Sequence, residues 1–281
     1  MRKTLEILWN SMVFATGELR KHKLRTFLSL LGITFGIFCI ISVMATVSSL
    51  ERNIRDQLKS IGTNTVYIQK WAWGGSSDYP WWKYMSRPNA RYRELRPVKE
   101  KATLAENTAY FFSNSISVDY RDVTLNGVSF YGATDEFDQI QPVEISDGRY
   151  LIPSEFTQGS PVAVMGYNVA EKLFDKPTAA LNKVVSVNGR KVTVIGLIKK
   201  QGQSLIGGWN FDDFLIMPYH FAKQIANEMN SDGAIIVKGK ANVDVADVKN
   251  ELRGIMRGVR RLSPKNEDNF ALNDVSSGSS Q

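Results

Sequence analysis

One cysteine and two histidines are all that 281 residues contain of the side chains most used to hold transition metals. The cysteine, Cys39, lies within an apolar run, so the rest of the chain has no disulfide and no thiol catalyst. A domain without disulfides is held by its hydrophobic core, which fits a bacterial periplasmic domain without establishing that compartment. His22 and His220 stand far apart, leaving no HExxH or CxxC pattern for a metal. The sequence has no GxxxxGK(S/T) phosphate loop, so ATP hydrolysis by that device is excluded. It also lacks a G-x-S-x-G nucleophile elbow. Asp212-Asp213 is the one tempting carboxylate pair, but adjacent side chains on an extended chain diverge, so it reads as loop solvation. No catalytic, cofactor-binding or metal-ligating residue is expected, and the sequence argues against an enzyme.

Against these absences stands one long apolar run. Phe27–Val47 carries no charge and is followed by no second run of comparable length; Ala234–Val237 is only strand-sized. As a helix the run rises about 30 Å, the thickness of a bilayer core. Arg20, Lys21, Lys23 and Arg25 precede it, and basic residues are retained on the cytoplasmic side. The N-terminus is therefore expected in the cytoplasm and the main domain outside, in the periplasm of a bacterial inner membrane. A cleaved signal peptide would have a shorter apolar core and a shorter leader, so an anchor is the preferred reading.

The net charge of +7 divides into two clusters. The first flanks the span, where anionic headgroups lie. The second is Lys249, Arg253, Arg257, Arg260, Arg261 and Lys265, whose helical spacing reads as a solvated helix face. No nucleic-acid motif accompanies either, and no nucleic-acid partner is expected.

Along the chain, Leu5, Leu8, Trp9, Met12, Val13, Thr16 and Leu19 recur at amphipathic helical spacing. Such a helix either lies on the inner leaflet or meets a cytoplasmic partner. After the span, Leu50, Ile54, Leu58 and Ile61 extend the helix as a stalk that Gly62 ends. Thr65–Gln69 reads as a strand. Residues 71–84 read as an aromatic loop, and Trp71, Trp73, Trp81 and Trp82 in it form a candidate contact with a partner or the membrane; aromatics folded back over the domain are the competing reading. Tyr92–Lys101 has a helical pattern interrupted by Pro97. Strands dominate from Ala109 to Ala133, with Asn126-Gly127 as a hairpin turn, and Asn188-Gly189 predicts a second hairpin. Further expected elements are a strand at Val162–Met165, a helix at Tyr167–Phe174, a strand at Phe214–Met217, a helix at Tyr219–Met229, a strand at Ala234–Lys238 and a helix at Val243–Val259. The class is α+β: helices flank a β-rich centre that is inserted into an α+β layer.

Several short motifs occur in one order. They are Leu24-Arg25-Thr26-Phe27-Leu28, Leu31-Gly32-Ile33-Thr34-Phe35-Gly36, a Gly62-Thr63-Asn64-Thr65 step, Tyr131-Gly132-Ala133-Thr134, Gly148-Arg149-Tyr150, Val162–Gly166 with Leu173-Phe174, Val192–Gly196 and Leu215–Tyr219. In that order the chain resembles MacB-type ABC transporter permeases over about residues 18–275. It departs from them in the aromatic loop 71–84, at Asn89–Leu95 and at Asn182-Lys183.

The resemblance implies a cytoplasmic helix and basic flank at 1–26, a transmembrane helix at 27–47 and a stalk at 48–61. It further implies a porter-like α+β part at 62–110 and 218–274, a sabre-like β-rich part at 111–217, and a loose tail at 275–281. The implied activity is mechanotransmission: a cytoplasmic ABC ATPase moves the membrane helices, and the stalk moves the periplasmic domain in an export or efflux complex. Implied partners are that ATPase, a homodimer mate or paralogous permease, and a periplasmic adaptor with an outer-membrane channel. Lipoprotein release and control of cell-wall hydrolases are rival tasks within the family, and a single-pass anchored sensor is a reading outside it. Family members carry three further spans after such a domain, so the chain is expected to be part of a longer permease. The transported substrate is not legible.

Overall fold

The computed structural model describes residues 7, 9, 11–13, 23–61, 64–73, 81–202 and 209–274; for residues 25, 26 and 52–61 it describes the backbone alone. A single helix, α1, runs from Lys23 to Ile61. Its Phe27–Glu51 stretch is long and apolar enough to cross a membrane, and none of it is buried inside the protein. Leu31, Phe35, Phe38 and Ile41 are exposed, as lipid-facing side chains would be. Both threonine hydroxyls within the stretch bond to their own helix: Thr34 Oγ1 donates to the Leu30 carbonyl at 2.9 Å and Thr46 Oγ1 to the Ser42 carbonyl at 2.8 Å. Hydrocarbon offers no water to do this instead. Residues 7, 9 and 11–13 are helical, and the rest of the expected amphipathic helix lies outside the described residues.

From Asp56 onward the described residues pack as one unit around ten strands. They are β1 (Thr65–Gln69), β2 (Ala105–Tyr120), β3 (Val123–Ala133), β4 (Ile145–Gly148), β5 (Val162–Met165), β6 (Val184–Val187), β7 (Arg190–Ile198), β8 (Phe214–Pro218), β9 (Asp232–Gly239) and β10 (Ala271–Asn273). At one end the order is β10-β1-β9-β2, all antiparallel. Two helices, α2 (Tyr92–Lys101) and α3 (Val245–Val259), cover one face of these four strands. Val98 of α2 and Val248, Leu252 and Met256 of α3 pack there with Val66, Ile68, Ile235 and Val237. The βαβ, βαβ order with its strands interleaved is a split ferredoxin-like arrangement. Everything between β2 and β9 is inserted between its halves.

The insert closes on itself. β6 pairs with both β2 and β7, so the strands run β2-β3-β8-β5-β7-β6 and back to β2. Closure leaves no free sheet edge around the ring. Val118, Val128, Val187, Val192, Met165 and Leu215 fill its interior and are buried. A second core lies on the opposite face of the sheet, where Tyr67, Phe111, Phe137, Phe156, Phe211 and Ile236 meet. Strand β2 crosses position 110 without a break and belongs to both ends of the sheet.

Several local expectations differ from the structure. The first hairpin turns at Arg121-Asp122, not at Asn126-Gly127. Asn126-Gly127 instead forms a bulge: Ile116 pairs with Val128 and Val118 with Leu125, so two residues oppose one, and Gly127 takes φ +74°. The turn chemistry that favours a hairpin also favours a bulge, and cross-strand pairing decided between them. At Asn188-Gly189 the expected hairpin does form, with φ values of 46° and 81°. The helix expected over Tyr219–Met229 stops at Ala222. The Glu228 carboxylate is drawn inward instead, accepting from Tyr110 Oη and Tyr219 Oη at 2.8 Å and from the Tyr92 N–H at 2.7 Å. Helix α2 runs through Pro97. The proline removes one N–H, but Glu94 caps the helix start by accepting from the Arg91 N–H at 3.0 Å, and buried Val98 anchors the far side. Strands β4 and β10 and the helices Phe137–Ile140 and Pro153–Gln158 were not expected, being too short to show a period.

Two glycines show how differently one substitution acts. Gly166 opens the helix Tyr167–Leu173 with ordinary backbone angles, but a Cβ there would stand 2.2 Å from the Phe211 carbonyl oxygen and 2.4 Å from that of Asp212. Backbone cannot swing aside, so Gly166→Ala is expected to cost about 3 kcal/mol. Gly127→Ala meets no atom within 4 Å and carries only the left-handed backbone cost of about 1 kcal/mol. Urea unfolding of the two variants measures the difference.

One ion pair sets an acid limit on the short helix Pro153–Gln158. Arg149 holds the Glu155 carboxylate through two bonds, 2.7 and 2.9 Å, and the Ile152 N–H adds a third at 3.0 Å. The Arg149 hydrogen bond keeps Glu155 below the usual carboxylate range. Because the folded-state value is depressed, the stabilisation is present above the unfolded value and is lost as pH falls through the folded one. The stability gap between the native chain and Glu155→Gln is therefore expected to be open at about pH 6 and to close towards about pH 3. Denaturant titrations at both values test it.

Candidate functional surface

The tryptophans expected to form one contact patch fall into two settings. Trp71 is half-buried, with Lys70 Nζ 5.1 Å from its ring centre. Asn273 of β10 clamps this segment: its Nδ2 donates to the Trp71 carbonyl at 2.7 Å, and its Oδ1 accepts from the Trp73 N–H at 2.8 Å. The Trp73 ring leans on Tyr67 of β1 at 4.8 Å and is 37% exposed. Tyr67 is fully covered, and burial pushes its hydroxyl up to about 12. Trp209, which was not among the expected site residues, also stacks with Tyr67 at 6.3 Å and packs against Phe111, Tyr131, Phe137 and Phe211. Trp71 and Trp73 therefore extend the edge of a core.

Trp81 and Trp82 behave differently. They lie on a short helix, Trp81–Met85, in a segment expected to be loop. They meet edge to face at 6.0 Å and are 56% and 63% exposed, with Met85 beside them at 58%. The helix is tied at its base. Lys83 pairs with Glu267 at 2.6 Å, and Arg87 lies 4.3 Å from the Tyr84 ring centre while donating to the Phe270 carbonyl at 3.3 Å. A short helix anchored through its polar side chains leaves its large apolar ones facing outward, as a contact surface requires.

The basic clusters also differ from their expected reading. Arg20 and Lys21 lie outside the described residues; Lys23 begins α1, and Arg25 is described by its backbone alone. The second cluster is largely consumed by acidic partners rather than being a solvated face. Lys249 pairs with Asp274 at 2.8 Å, Arg253 and Arg257 with Asp268 at 3.2 and 2.6 Å, and Arg260 with Glu94 at 2.9 Å. These pairs fasten the segment after α3 to the domain. The acidic partners lie outside the helix period, so the pattern of basic residues alone could not reveal them. Asp212 and Asp213 diverge as expected. Asp212 is buried and caps the Gln201 and Gly202 N–H groups, whereas Asp213 faces outward to Lys172 at 3.3 Å.

Four motif glycines are packing positions, whereas Gly32 and Gly36 meet no atom within 4 Å. Gly148 and Gly196 face each other across the β4–β7 pair, Gly132 leaves room for Phe112 and Ala222, and Gly166 lies against the Phe211 and Asp212 carbonyls. The motifs thus specify an architecture. Fold and surface define an α+β domain carried on an apolar helix, with features suited to contact.

The chain belongs to the MacB-like periplasmic core domain family, whose model matches residues 26–255. It is similar to the macrolide export ATP-binding/permease protein MacB of Neisseria meningitidis, 27% identical over 80% of this chain and 34% of that protein. It is also similar to the uncharacterized ABC transporter permease YvrN of Bacillus subtilis, 26% identical over 65% of this chain and 44% of the other. The chain thus spans about a third of the length of the MacB relatives it matches. Among solved structures, the periplasmic region of MacB from Actinobacillus actinomycetemcomitans superposes with a TM-score of 0.62 at 18% identity, covering 78% of this chain and 92% of that one. The extracellular domain of the ABC-type transporter YknZ from Gram-positive bacteria gives 0.58 at 16%, covering 75% and 100%. Identities this low establish a shared fold.

Proposed function

We propose that the chain is the first membrane helix and the extracytoplasmic domain of an ABC transporter permease that transmits ATPase motion across the membrane. The observation that carries this reading is α1, one helix from Lys23 to Ile61 that includes the apolar stretch and ends shortly before β1. A helix without a break can convey a displacement, whereas a flexible linker would absorb it. Family membership supplies the transporter context. In this reading the N-terminus lies in the cytoplasm, the helix crosses the bacterial inner membrane, and the domain works in the periplasm. The split ferredoxin-like end is the porter-like part, and the ring of strands is the sabre-like part. The chain itself catalyses no reaction. Energy comes from a cytoplasmic ABC ATPase, and a second copy or a paralogous permease completes the pair. A periplasmic adaptor and an outer-membrane channel extend the complex, in export or efflux.

The test is recovery from detergent-solubilised native membranes through a tag on this chain. An ABC-type ATPase identified in the eluate, and lost when residues 1–19 are deleted, supports the reading. Recovery of the chain without any such ATPase from crosslinked membranes overturns it and favours an anchored sensor.

Trp81, Trp82 and Met85 are the contact surface of the domain in this reading. Replacing Trp81 and Trp82 with serine is expected to leave the unfolding midpoint unchanged and to weaken association with a recovered partner at least about tenfold. Trp73→Ser instead costs about 1–2 kcal/mol of stability, because that ring packs on Tyr67. Quantified co-recovery of the partner and thermal unfolding separate the two effects.

A further inference from the structure

A cleft of about 440 Å³ lies between the start of α2 and the end of α3, and arginines line it. Arg91 and Arg93 come from the first element, and Arg260 and Arg261 from the second. Arg260 is committed. Its Nε and Nη2 hold both oxygens of Glu94 at 2.9 and 3.0 Å, and its Nη1 donates to the Asn269 carbonyl at 2.9 Å. Glu94 is committed too, since its carboxylate also accepts from the Arg91 N–H. The one acidic group in the cleft is therefore already matched by Arg260.

Arg91, Arg93 and Arg261 keep their guanidinium groups without any hydrogen-bonding or ionic partner among the described residues, whereas Arg149, Arg253, Arg257 and Arg260 each hold a carboxylate. Arg261 also sits at φ +52°, a left-handed position that glycine would occupy at lower cost. Three unmatched cations on one concavity repel each other, and that repulsion is relieved by an anion carrying more than one charge. Guanidinium forks match phosphate oxygens in shape as well as charge.

We propose that this cleft binds a phosphate-bearing polyanion through Arg91, Arg93 and Arg261. A soluble phosphorylated molecule and an anionic lipid headgroup share this chemistry, and the experiment separates them. The full chain in phosphatidylcholine nanodiscs is titrated calorimetrically with inorganic pyrophosphate at low salt. It is then floated with vesicles containing phosphatidylglycerol. Both measurements are repeated on Arg91→Gln/Arg93→Gln/Arg261→Asn, which leaves the Arg260–Glu94 pair in place and puts asparagine, a tolerant residue, at the left-handed position.

Pyrophosphate binding that weakens by about 100-fold or more in the triple variant supports a soluble ligand. Vesicle binding that depends on the same three arginines, without pyrophosphate binding, supports a headgroup. Binding of neither probe, or binding that the triple variant leaves unchanged, overturns the proposal. The single variant Arg93→Gln, at an exposed position, serves as a second reading with a smaller loss, and matched thermal unfolding verifies that each variant is folded.

Discussion

On the proposed mechanical role, insertion of Gly-Pro-Gly-Gly after Val47 is expected to abolish ATP-driven transport while leaving the protein in the membrane and its domain folded. The apolar stretch Phe27–Val47 stays whole, so the span is retained. The domain keeps its own two cores, which among the described residues are built from elements after α1. What the insertion removes is helical continuity within Lys23–Ile61. Proline in a helix costs about 3 kcal/mol and glycine about 1 kcal/mol per residue, so the inserted segment unwinds. The informative control is a seven-residue insertion of Ala, Glu and Lys at the same site. Seven residues make about two helical turns, so this lengthens the helix while preserving both its continuity and, within about 20°, the direction its far end faces. Transport assayed in cells carrying the complete permease and its ATPase should be lost with the first insertion and largely kept with the second. Equal activity in both would remove the mechanical role from this helix.

Arg260→Ala is expected to destabilise the domain by about 3–5 kcal/mol, the cost of leaving the partner carboxylate buried and unpaired. The Arg260 and Glu94 side chains are only 6% and 8% exposed, and their contact is bidentate. Arg260 also holds the Asn269 carbonyl and side chain, so the segment leading to β10 loosens with it. Glu94→Ala should cost a similar amount and additionally uncaps α2 at the Arg91 N–H. The double variant Arg260→Met/Glu94→Leu removes both charges and should recover much of the loss, because a matched apolar pair carries no desolvation penalty. Chemical denaturation of the four proteins gives the coupling directly, and additive losses would show that the pair does not act as a unit. By contrast, the pair Arg96–Glu100 is solvent-exposed at 86% and 58%, and its removal should be close to silent.

These two expectations stand in different relation to the sequence. The helix was legible, because an uncharged run, its basic flank and the stripe Leu50, Ile54, Leu58 and Ile61 are local patterns with one physical reading. The Arg260–Glu94 pair was not, since its partners are 166 positions apart and each looks like an ordinary surface charge on its own helix. The same distinction runs through the candidate site. The tryptophan-rich stretch drew notice as composition, but only packing divided it into Trp73, leaning on Tyr67, and Trp81 and Trp82, held outward. Met85, Trp209, Arg91 and Arg93 left no signal in spacing, and the spacing of Arg260 and Arg261 suggested only a solvated helix face, because each gains its role from a neighbour distant in the chain.

The sequence by itself determined the long apolar helix, the α+β alternation, the hairpin at Asn188-Gly189 and the family resemblance. Those features rest on periods of 2 or 3.6 residues and on turn chemistry, which act over a few neighbouring positions. The tertiary structure alone decided that Asn126-Gly127 bulges instead of turning, that β6 closes a ring between β2 and β7, and that Gly166 leaves room for a backbone. It also decided which arginines hold a carboxylate among the described residues. Each of those outcomes depends on what the opposing strand or helix places within a few ångströms, and a one-dimensional pattern carries no record of that distance.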